Sequence, residues 1–544
     1  MKKFLATLLA LTMLIGLAAP ALAEDVVSYY IRGGGAEHDK TLMMDMVGLK
    51  KIAEIAGVTI DWTDEGKIVC GSNEEIDQAY LAYMAGGQYA DILQWGHNSA
   101  YVGGVTQMYA DGIIIELNDV IDKYMPNLKK ILEENPELAN DLRNDDGQYL
   151  YFTTLNGMNT IEDVIGVTWW GPMLRKDWLE NVGAEVPTTI EEWYDVLTLF
   201  KEGDPNGNGE LDEIPLDGGA GAHMLFMSAY DIMSGIHVDP NTGKVAYGEY
   251  SEGYKAWLET MNKWYSEGLL QNVFVDETGA ITDGATVDEN LYADLIGSWK
   301  GLSNYWEQRL PNLLTKNPNA DFVAAPWVAD ANGKVYSGYQ AFGRLGTNLV
   351  CISTDCENVE AAARLIDTMY SEEGSILMTW GVQATEKDEN GNWINGNWAY
   401  DENGKKYTVP WTWESVEYRG SNFPRHFTYA MAHANFPRFG QSDYNATSYS
   451  EKYVGASKTW ADSDFSMTYP SAIALPVEAQ AEITTLGEDM AAYISEMQYK
   501  FITGAEPLTN YDAYLEQLQK MGIETIIAHY QAAYDRYVAR TAGN

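Results

Sequence analysis

The chain has 544 residues, with 35 Lys and Arg against 79 Asp and Glu, and its formal net charge is −44. A single hydrophobic core stops growing near ~250–300 residues, so this length predicts two or more packing units. The charge excludes nucleic-acid binding, because a phosphate backbone is bound by clustered Lys and Arg.

The first 23 residues have the pattern of a secretory signal peptide. Lysines at positions 2 and 3 precede an apolar stretch over 4–19, and Ala-Leu-Ala at 21–23 predicts cleavage before Glu24. No other run approaches the ~20 apolar residues of a membrane-spanning helix. The protein is therefore predicted to be exported, and soluble after cleavage, at the extracellular cell surface or in the periplasm.

The residues after the signal alternate between strand and helix patterns. β-Branched and aromatic runs predict strands, and apolar residues at helical spacing predict helices. The predicted order is strand 26–31, helix 41–56, strand 58–62, helix 74–85 and strand 91–95. This order predicts a mostly parallel sheet, whose ligands bind beyond the carboxyl ends of the strands. Trp95, His97 and Asn98 stand at such an end and are candidate ligand-binding residues.

A second α/β unit is predicted to begin after residues 149–152. The segment 171–179 leads into a helix, and the next helix has Thr188 or Thr189 as its N-cap, with acidic residues in its first turn. Further helical patterns cover 250–267, 359–370 and much of the chain from 477. No internal repeat is visible, so two α/β lobes with helical additions fit the pattern best.

Three cysteines, Cys70, Cys351 and Cys356, cannot all pair with one another. The C-x4-C spacing of the last two fits neither a zinc knuckle nor a redox C-x-x-C pair. A local Cys351–Cys356 disulfide and free buried thiols are the two alternatives, of which free thiols are favoured.

The aromatic composition suits a sugar ligand. There are 17 Trp and 36 Tyr against 13 Phe, and both Trp and Tyr combine a flat apolar face with a hydrogen-bond donor. Four Trp residues at helical spacing are assigned to the core: Trp178, Trp193, Trp257 and Trp264. Those at strand ends or in loops are candidate platforms for sugar rings: Trp95, Trp169, Trp170, Trp299, Trp306, Trp380, Trp411 and Trp413. His97, Asn156 and Arg425 are candidates to bind hydroxyls or an acidic sugar.

Catalysis finds little support in the sequence. A secreted glycoside hydrolase, the main alternative, needs two carboxylates about 5–9 Å apart, and with 79 acidic residues some pair would meet this distance by chance. No G-x-S-x-G, H-E-x-x-H, P-loop or G-x-G-x-x-G motif occurs, and the seven histidines lack metal-ligand spacing. A structural or adhesive protein is disfavoured because such proteins usually show repeats. The sequence therefore predicts a binding protein and not an enzyme.

A set of short motifs runs in order through nearly the whole mature chain. They are LRKDWL at 174–179, VPTT at 186–189, DPNGNG at 204–209, NKWYSEGL at 262–269, MYSEEG at 369–374, FITG at 501–504 and AAYDR at 532–536. The ordered set resembles the extracellular solute-binding proteins of ABC importers, in the carbohydrate-binding group that includes lipoprotein-like and alginate-oligosaccharide binders. The chain departs from the commonest pattern of that family in lacking a lipobox cysteine.

The resemblance implies an α/β, two-lobed periplasmic-binding-protein-like fold (type II) with a hinge and a helix-rich C-terminal part. Lobe 1 would comprise 24–152 plus 340–380 and lobe 2 would comprise 153–339, while 381–544 would supply cleft loops and C-terminal helices divided between the lobes. An oligosaccharide is expected to bind in the interlobe cleft and to close it. The chain would act as a monomer and deliver this ligand to the permease subunits of an ABC transporter in trans. A peptide or another small solute is the alternative ligand.

Residues 204–213 match the first part of an EF-hand calcium loop. Oxygen-bearing side chains stand at loop positions 1, 3, 5 and 9, and a glycine at position 6 allows the sharp turn. The predicted calcium ligands are Asp204, Asn206, Asn208, the backbone carbonyl of Glu210, Asp212 and Glu213. Pro215 stands where an EF-hand has its bidentate Glu, so Glu213 is the expected replacement, as the resemblance to calcium-containing alginate binders also implies. A solvated Asn/Gly turn is the alternative; a calcium ion here is predicted to be structural and not to touch the ligand.

Overall fold

The computed structural model describes residues 25–32, 47–61, 68–69, 73–95, 101, 103–157, 168–271, 285–338, 343–346, 348–409, 436–440 and 450–542. These residues form two five-stranded sheets and three two-stranded pairings. Each five-stranded sheet has its own large hydrophobic core. The predictions of an α/β class and of more than one packing unit are therefore confirmed.

The strands are numbered in chain order. They are β1 (Asp25–Arg32), β2 (Val58–Asp61), β3 (Ile68–Val69), β4 (Ile92–Trp95), β5 (Thr154–Leu155), β6 (Trp170–Arg175), β7 (Ile214–Asp217), β8 (Ile236–Val238), β9 (Val245–Tyr247), β10 (Leu270–Gln271), β11 (Ile296–Leu302), β12 (Phe322–Ala324), β13 (Leu349–Ile352), β14 (Trp398–Tyr400), β15 (Lys406–Thr408) and β16 (Arg438–Phe439). β1, β2 and β4 lie where the β-α-β-α-β pattern predicts strands, whereas β3 was not predicted.

The α-helices are numbered in the same way. They are α1 (Val47–Ala56), α2 (Asn73–Ala85), α3 (Gly104–Ala110), α4 (Asn118–Tyr124), α5 (Pro126–Glu134), α6 (Pro136–Leu142), α7 (Lys176–Val182), α8 (Ile190–Glu202), α9 (Glu252–Ser266), α10 (Ala285–Tyr292), α11 (Tyr305–Gln308), α12 (Leu310–Leu313), α13 (Val359–Tyr370), α14 (Glu372–Thr379), α15 (Glu451–Ala461), α16 (Val477–Thr503), α17 (Tyr511–Met521) and α18 (Ile523–Ala542). Short 3-10 helices cover Gly219–Tyr230, Gly248–Tyr250 and Leu508–Asn510. Across the described residues, no helix has the length and apolarity that crossing a membrane requires.

The first sheet has the order β13-β4-β1-β2, and β3 also pairs with β1. β1 runs parallel to β2, β3 and β4, whereas β13 is antiparallel to β4. The predicted parallel sheet is confirmed, with an added edge strand from a distant part of the chain. Helix α13 covers this sheet, and its Asp367 carboxylate accepts a hydrogen bond from the backbone N–H of Leu128 at 2.9 Å, which ties α13 to the start of α5.

The second sheet has the order β10-β7-β11-β6-β12. Strands β7, β10 and β11 are parallel, and β6 is antiparallel to both β11 and β12. The carboxyl ends of β7, β10 and β11 therefore meet at one edge of the sheet, together with the amino end of β6. This edge is the part of the fold that a ligand of an α/β protein would contact.

The helices around the second sheet bury the tryptophans that helical spacing assigns to the core. Trp178, Trp193, Trp257 and Trp264 are each at most 1% exposed. Helix α8 begins with a capping box, in which the Thr189 side chain accepts a hydrogen bond from the backbone N–H of Glu192, so the second of the two predicted N-caps is used. The predicted core tryptophans are confirmed.

The C-terminal helix α18 links the two halves of the molecule. Its first residues belong to the core of the second sheet, and its last turns reach α6 and the segment after it, beside the first sheet. Arg536 and Arg540 pair with Asp145 at 2.6 and 3.0 Å, and the Tyr537 hydroxyl donates to the Asp141 carboxylate at 2.7 Å. The ion pair between Arg536 and Asp145 is partly exposed, and pairs of this kind are worth less than about 1 kcal/mol.

Candidate functional site

The carboxyl edge of the second sheet brings separate chain segments together. Strand β11 ends at Leu302, and the antiparallel strand β6 begins at Trp170, directly opposite it. The backbone N–H of Ser303 donates to the carbonyl of Trp169 at 2.8 Å, so the segments before β6 and after β11 run side by side. Residues 168–170 and 300–306 are called the second-sheet edge below.

The second-sheet edge combines an aromatic surface with polar atoms that lack protein partners. Trp169 is 37% exposed. Four side-chain atoms are buried without a hydrogen-bond partner among the described residues: Thr168 Oγ1, Ser303 Oγ, Asn304 Oδ1 and Trp306 Nε1. An unpaired buried polar group costs about 1–3 kcal/mol, so a ligand or water that pairs with these atoms is favoured. A sugar satisfies both features, since its C–H face stacks on a ring and its hydroxyls pair with polar atoms.

Lys300 adds a positive charge to this edge. It lies on β11, and its Nζ is 4.3 Å from the ring centroid of Trp170 on the neighbouring strand. Burial lowers the pKa of Lys300. Burial also lowers the pKa of His223 to about 4, and Lys300 lowers it further, so His223 is neutral near pH 7. Sequence reasoning missed Lys300.

The structure places the predicted ligand residues in three different situations. Trp169 is exposed, while Asn156, Trp170 and Trp306 are half-buried. Trp95 ends β4 as predicted. The remaining candidates lie outside the described residues: His97, Asn98, Trp411, Trp413 and Arg425. The role of these residues in ligand binding stays a prediction.

Two predicted platforms are enclosed and not open. Trp299 is 1% exposed, because it lies within β11 and its ring packs edge-on against Phe322 at 5.1 Å. Trp380 is 0% exposed and packs 6.0 Å from Trp398. Neighbouring glycines suggested a loop at both positions. Instead, Trp299 is covered because its strand β11 lies inside the sheet, and Trp380 is covered by the β14–β15 hairpin. In this conformation neither ring offers a face to a sugar.

Asn156 lies where three chain segments meet. Its backbone N–H donates to the carbonyl of Arg344 at 2.7 Å. The preceding residue, Leu155, pairs with Phe439 of β16 and bridges to Leu345. Asn156 thus lies where three chain segments run side by side; its place at a hinge stays a prediction.

Residues 204–213 form a tight loop between α8 and the amino end of β7. Asp204 has a φ of 45°, and Gly207 has a φ of 69°, a conformation that most side chains disfavour. Oδ2 of Asp204 accepts a hydrogen bond from the backbone N–H of Gly209 at 3.0 Å, and Oδ1 of Asn208 accepts one from that of Glu210 at 2.7 Å. The predicted ligand side chains therefore fold into the turn.

Among the residues of this loop, Glu213 has the surroundings that best fit a cation ligand, because its carboxylate is buried without a partner. It is 4% exposed, and neither carboxylate oxygen has a hydrogen-bond partner of normal geometry among the described residues. Burial raises the pKa of Glu213, and the nearby carboxylates of Asp204 and Asp212 raise it further. In the described part of the chain no group of three Asp, Glu, His or Cys side chains converges as a metal site. Besides its carboxylates, the loop's predicted donors are two Asn side chains and one backbone carbonyl. This hard-oxygen donor set fits calcium.

The loop is tied to a buried ion-pair network. Asn206 donates its amide to the carbonyl of Asp294 at 3.1 Å. The Asp294 carboxylate pairs with Arg175, which is 0% exposed and also binds Asp177 at 2.6 Å. The loop lies at the amino end of β7, whereas the second-sheet edge lies at the carboxyl ends of the parallel strands. The two sites are therefore at opposite ends of the second sheet. A cation in the loop would therefore act on the framework of the second sheet.

These features define a two-lobed α/β solute-binding protein. A family model of the bacterial extracellular solute-binding proteins matches residues 54–376, more than half of the chain. The chain belongs to this family, as its ordered motifs suggest.

Individual relatives extend the similarity over nearly the whole chain. The fructooligosaccharide ABC transporter substrate-binding protein FusA of Streptococcus pneumoniae is 26% identical over 513 residues, which cover 90% of this chain and 87% of FusA. The structure of FusA in complex with kestose superposes with a TM-score of 0.68 at 22% identity, over 95% of this chain and 100% of that one. The alginate-binding protein AlgQ2 without calcium superposes with a TM-score of 0.65 at 18% identity, over 94% and 98%. The predicted two-lobed fold is thereby confirmed.

Proposed function

We propose that this chain is the extracellular substrate-binding component of an ABC importer, and that it captures an oligosaccharide between its two lobes. The observation that carries the proposal is the second-sheet edge, where exposed Trp169 lies beside buried polar atoms that lack partners. The family and the sugar-binding relative FusA support the same function. No step of this function requires a bond in the ligand to be broken.

Binding and delivery follow from the two-lobed arrangement. A ligand that touches both lobes favours the closed state by the difference in its affinity for the two states. The closed form then presents both lobes in one fixed orientation, which a membrane permease can recognise. The signal-like first 23 residues support export to the cell surface or periplasm, and the chain would work there as a monomer.

The loop at 204–213 is proposed to hold one structural calcium ion. Side-chain oxygens of Asp204, Asn206, Asn208, Asp212 and Glu213 would hold it, together with the Glu210 carbonyl. The ion would supply the positive charge that the buried Glu213 carboxylate lacks, and so stabilise the second lobe. The relative FusA, one structure of which is an EF-hand mutant, supports a site of this kind in this chain.

The proposal is tested by thermal shift assays against a panel of oligosaccharides that includes kestose. At least one member should raise the Tm of the wild type. Trp169→Ala should weaken binding of that member about tenfold without lowering the Tm of the free protein, because the ring is partly exposed. Tyr400→Ala is the matched control, since Tyr400 is 49% exposed but lies on β14, outside both five-stranded sheets. If no oligosaccharide changes the Tm, or if Trp169→Ala and Tyr400→Ala behave alike, the proposed site is wrong.

A further inference from the structure

Lys300 has a charge that no described residue neutralises. It is half-buried on β11, and no carboxylate lies within ion-pair distance of its Nζ among the described residues. Its contact is with the face of Trp170, at 4.3 Å from the ring centroid. Lysine is seldom buried without a paired acid.

The position of Lys300 argues for a ligand and against a packing role. The lysine lies two residues before the carboxyl end of β11, within the second-sheet edge that holds Trp169 and the unpaired polar atoms. His223, whose pKa the lysine lowers, cannot neutralise it, because an imidazole is either neutral or positively charged. None of the described residues supplies a counter-ion, and a carboxylate of a bound molecule would provide one.

We propose that Lys300 and Trp170 form a subsite for a sugar unit that carries a carboxylate. The inference rests on the proposed function and adds a substrate class to it: an oligosaccharide with at least one acidic unit, such as a uronic or a sialic acid. The indole face of Trp170 lies 4.3 Å from the ammonium nitrogen, and a ligand carboxylate pairs with the same ammonium group in a half-buried site, where such pairs are strong. A neutral sugar could only accept hydrogen bonds from Nζ and would leave the charge uncompensated. The strongly negative chain disfavours a ligand with many charges, so one or a few carboxylates are expected.

The test is calorimetric titration of the mature chain with paired oligosaccharides. Oligogalacturonates and oligomannuronates are each compared with the same molecule after reduction of its carboxyl groups, and sialyllactose is compared with lactose. Lys300→Met keeps the apolar stem and removes the charge. Lys387→Met is the matched control, because Lys387 lies 4.3 Å over the ring of Trp393 but in the segment leading to the β14–β15 hairpin.

The wild type should bind one acidic member about ten- to hundredfold more tightly than its neutral counterpart, as expected for a hydrogen bond to a charged group. Lys300→Met should lose this preference, while Lys387→Met keeps it. The Tm of free Lys300→Met should equal or exceed that of the wild type, since an uncompensated charge has been removed; a fall would indicate a structural role and overturn the inference. If the wild type binds neutral members equally well, or if Lys300→Met keeps the preference, the acidic subsite is wrong and the proposed function stands. If no oligosaccharide binds, both are wrong.

Discussion

Replacement of Glu213 by Gln tests the calcium loop, because its effect on the stability of the protein should have opposite signs with and without calcium. The substitution preserves shape and removes one negative charge. Glu213 is 4% exposed, its two carboxylate oxygens are unpaired, and Asp204 and Asp212 repel it. Without calcium this charge destabilises the folded state, whereas with calcium it is a ligand. The same variant should therefore be more stable than the wild type in chelator and less stable in calcium.

The expected magnitudes follow from the burial of the carboxylate. An unpaired buried polar group costs about 1–3 kcal/mol, and the Gln amide retains part of this cost, so the gain in chelator should be about 1 kcal/mol. For a lobe of this size that corresponds to about 2–4 °C in Tm. At a hundredfold excess over Kd, calcium stabilises the wild type by about 2.7 kcal/mol, and Glu213→Gln should lose most of this gain.

The assay is thermal unfolding with calcium and with chelator. Glu210→Gln is the matched control, because it removes the same charge from the same loop while Glu210 is expected to bind only through its backbone carbonyl. That control should keep the calcium response of the wild type. If Glu213→Gln keeps it too, or if the two variants respond alike, the ion does not bind where the loop geometry indicates.

The pH dependence provides a second check on Glu213. Its pKa in the folded state is raised above the ordinary value of 4.5, so the folded state binds more protons than the unfolded state in the interval above 4.5. The destabilisation by Glu213 therefore grows as the pH rises through that interval and disappears below it. In chelator, the Tm difference between Glu213→Gln and the wild type should vanish at low pH. A difference that is constant with pH would contradict this origin.

Three further predictions concern the framework and the motion. Trp299→Ala should cost about 3–5 kcal/mol, because the ring is 1% exposed against Phe322; a neutral effect in chemical denaturation would show that the ring is not enclosed. Arg175→Met should also cost about 3–5 kcal/mol, since it leaves the buried carboxylates of Asp177 and Asp294 without their cation. Chemical denaturation of Asp177→Asn should show a smaller loss of stability. Saturating ligand should reduce the radius of gyration in small-angle scattering, and an unchanged radius would count against closure of the lobes.

Local sequence patterns predicted helices, helix starts and strands well where a single rule, such as helical spacing or N-capping, determines the structure. Helical spacing placed Trp178 and Trp257 in the core. The capping pattern placed the start of α8 at Thr188 or Thr189, and the structure uses Thr189. The parallel pairing of β1 with β2 and β4 agrees with the alternation of strand and helix patterns. The antiparallel edge strand β13 could not be predicted in this way, because its partner β4 is far away in the sequence.

The site was harder to predict, because exposure depends on tertiary neighbours. Trp299 and Trp169 both have small or polar residues nearby, yet β6 and β12 enclose the first ring while the second remains 37% exposed. Lys300 was missed for a related reason. A lysine becomes informative only once the structure shows which acids are absent around it.

The central claim, that the chain binds an oligosaccharide without altering it, is tested most directly by calorimetric titration followed by analysis of the recovered ligand. The mature chain, loaded with calcium, should bind one oligosaccharide per molecule with saturable heat, and mass spectrometry should recover that oligosaccharide intact. Absence of binding across neutral and acidic oligosaccharides would contradict the claim. Recovery of shortened products would contradict it as well, and would indicate a hydrolase.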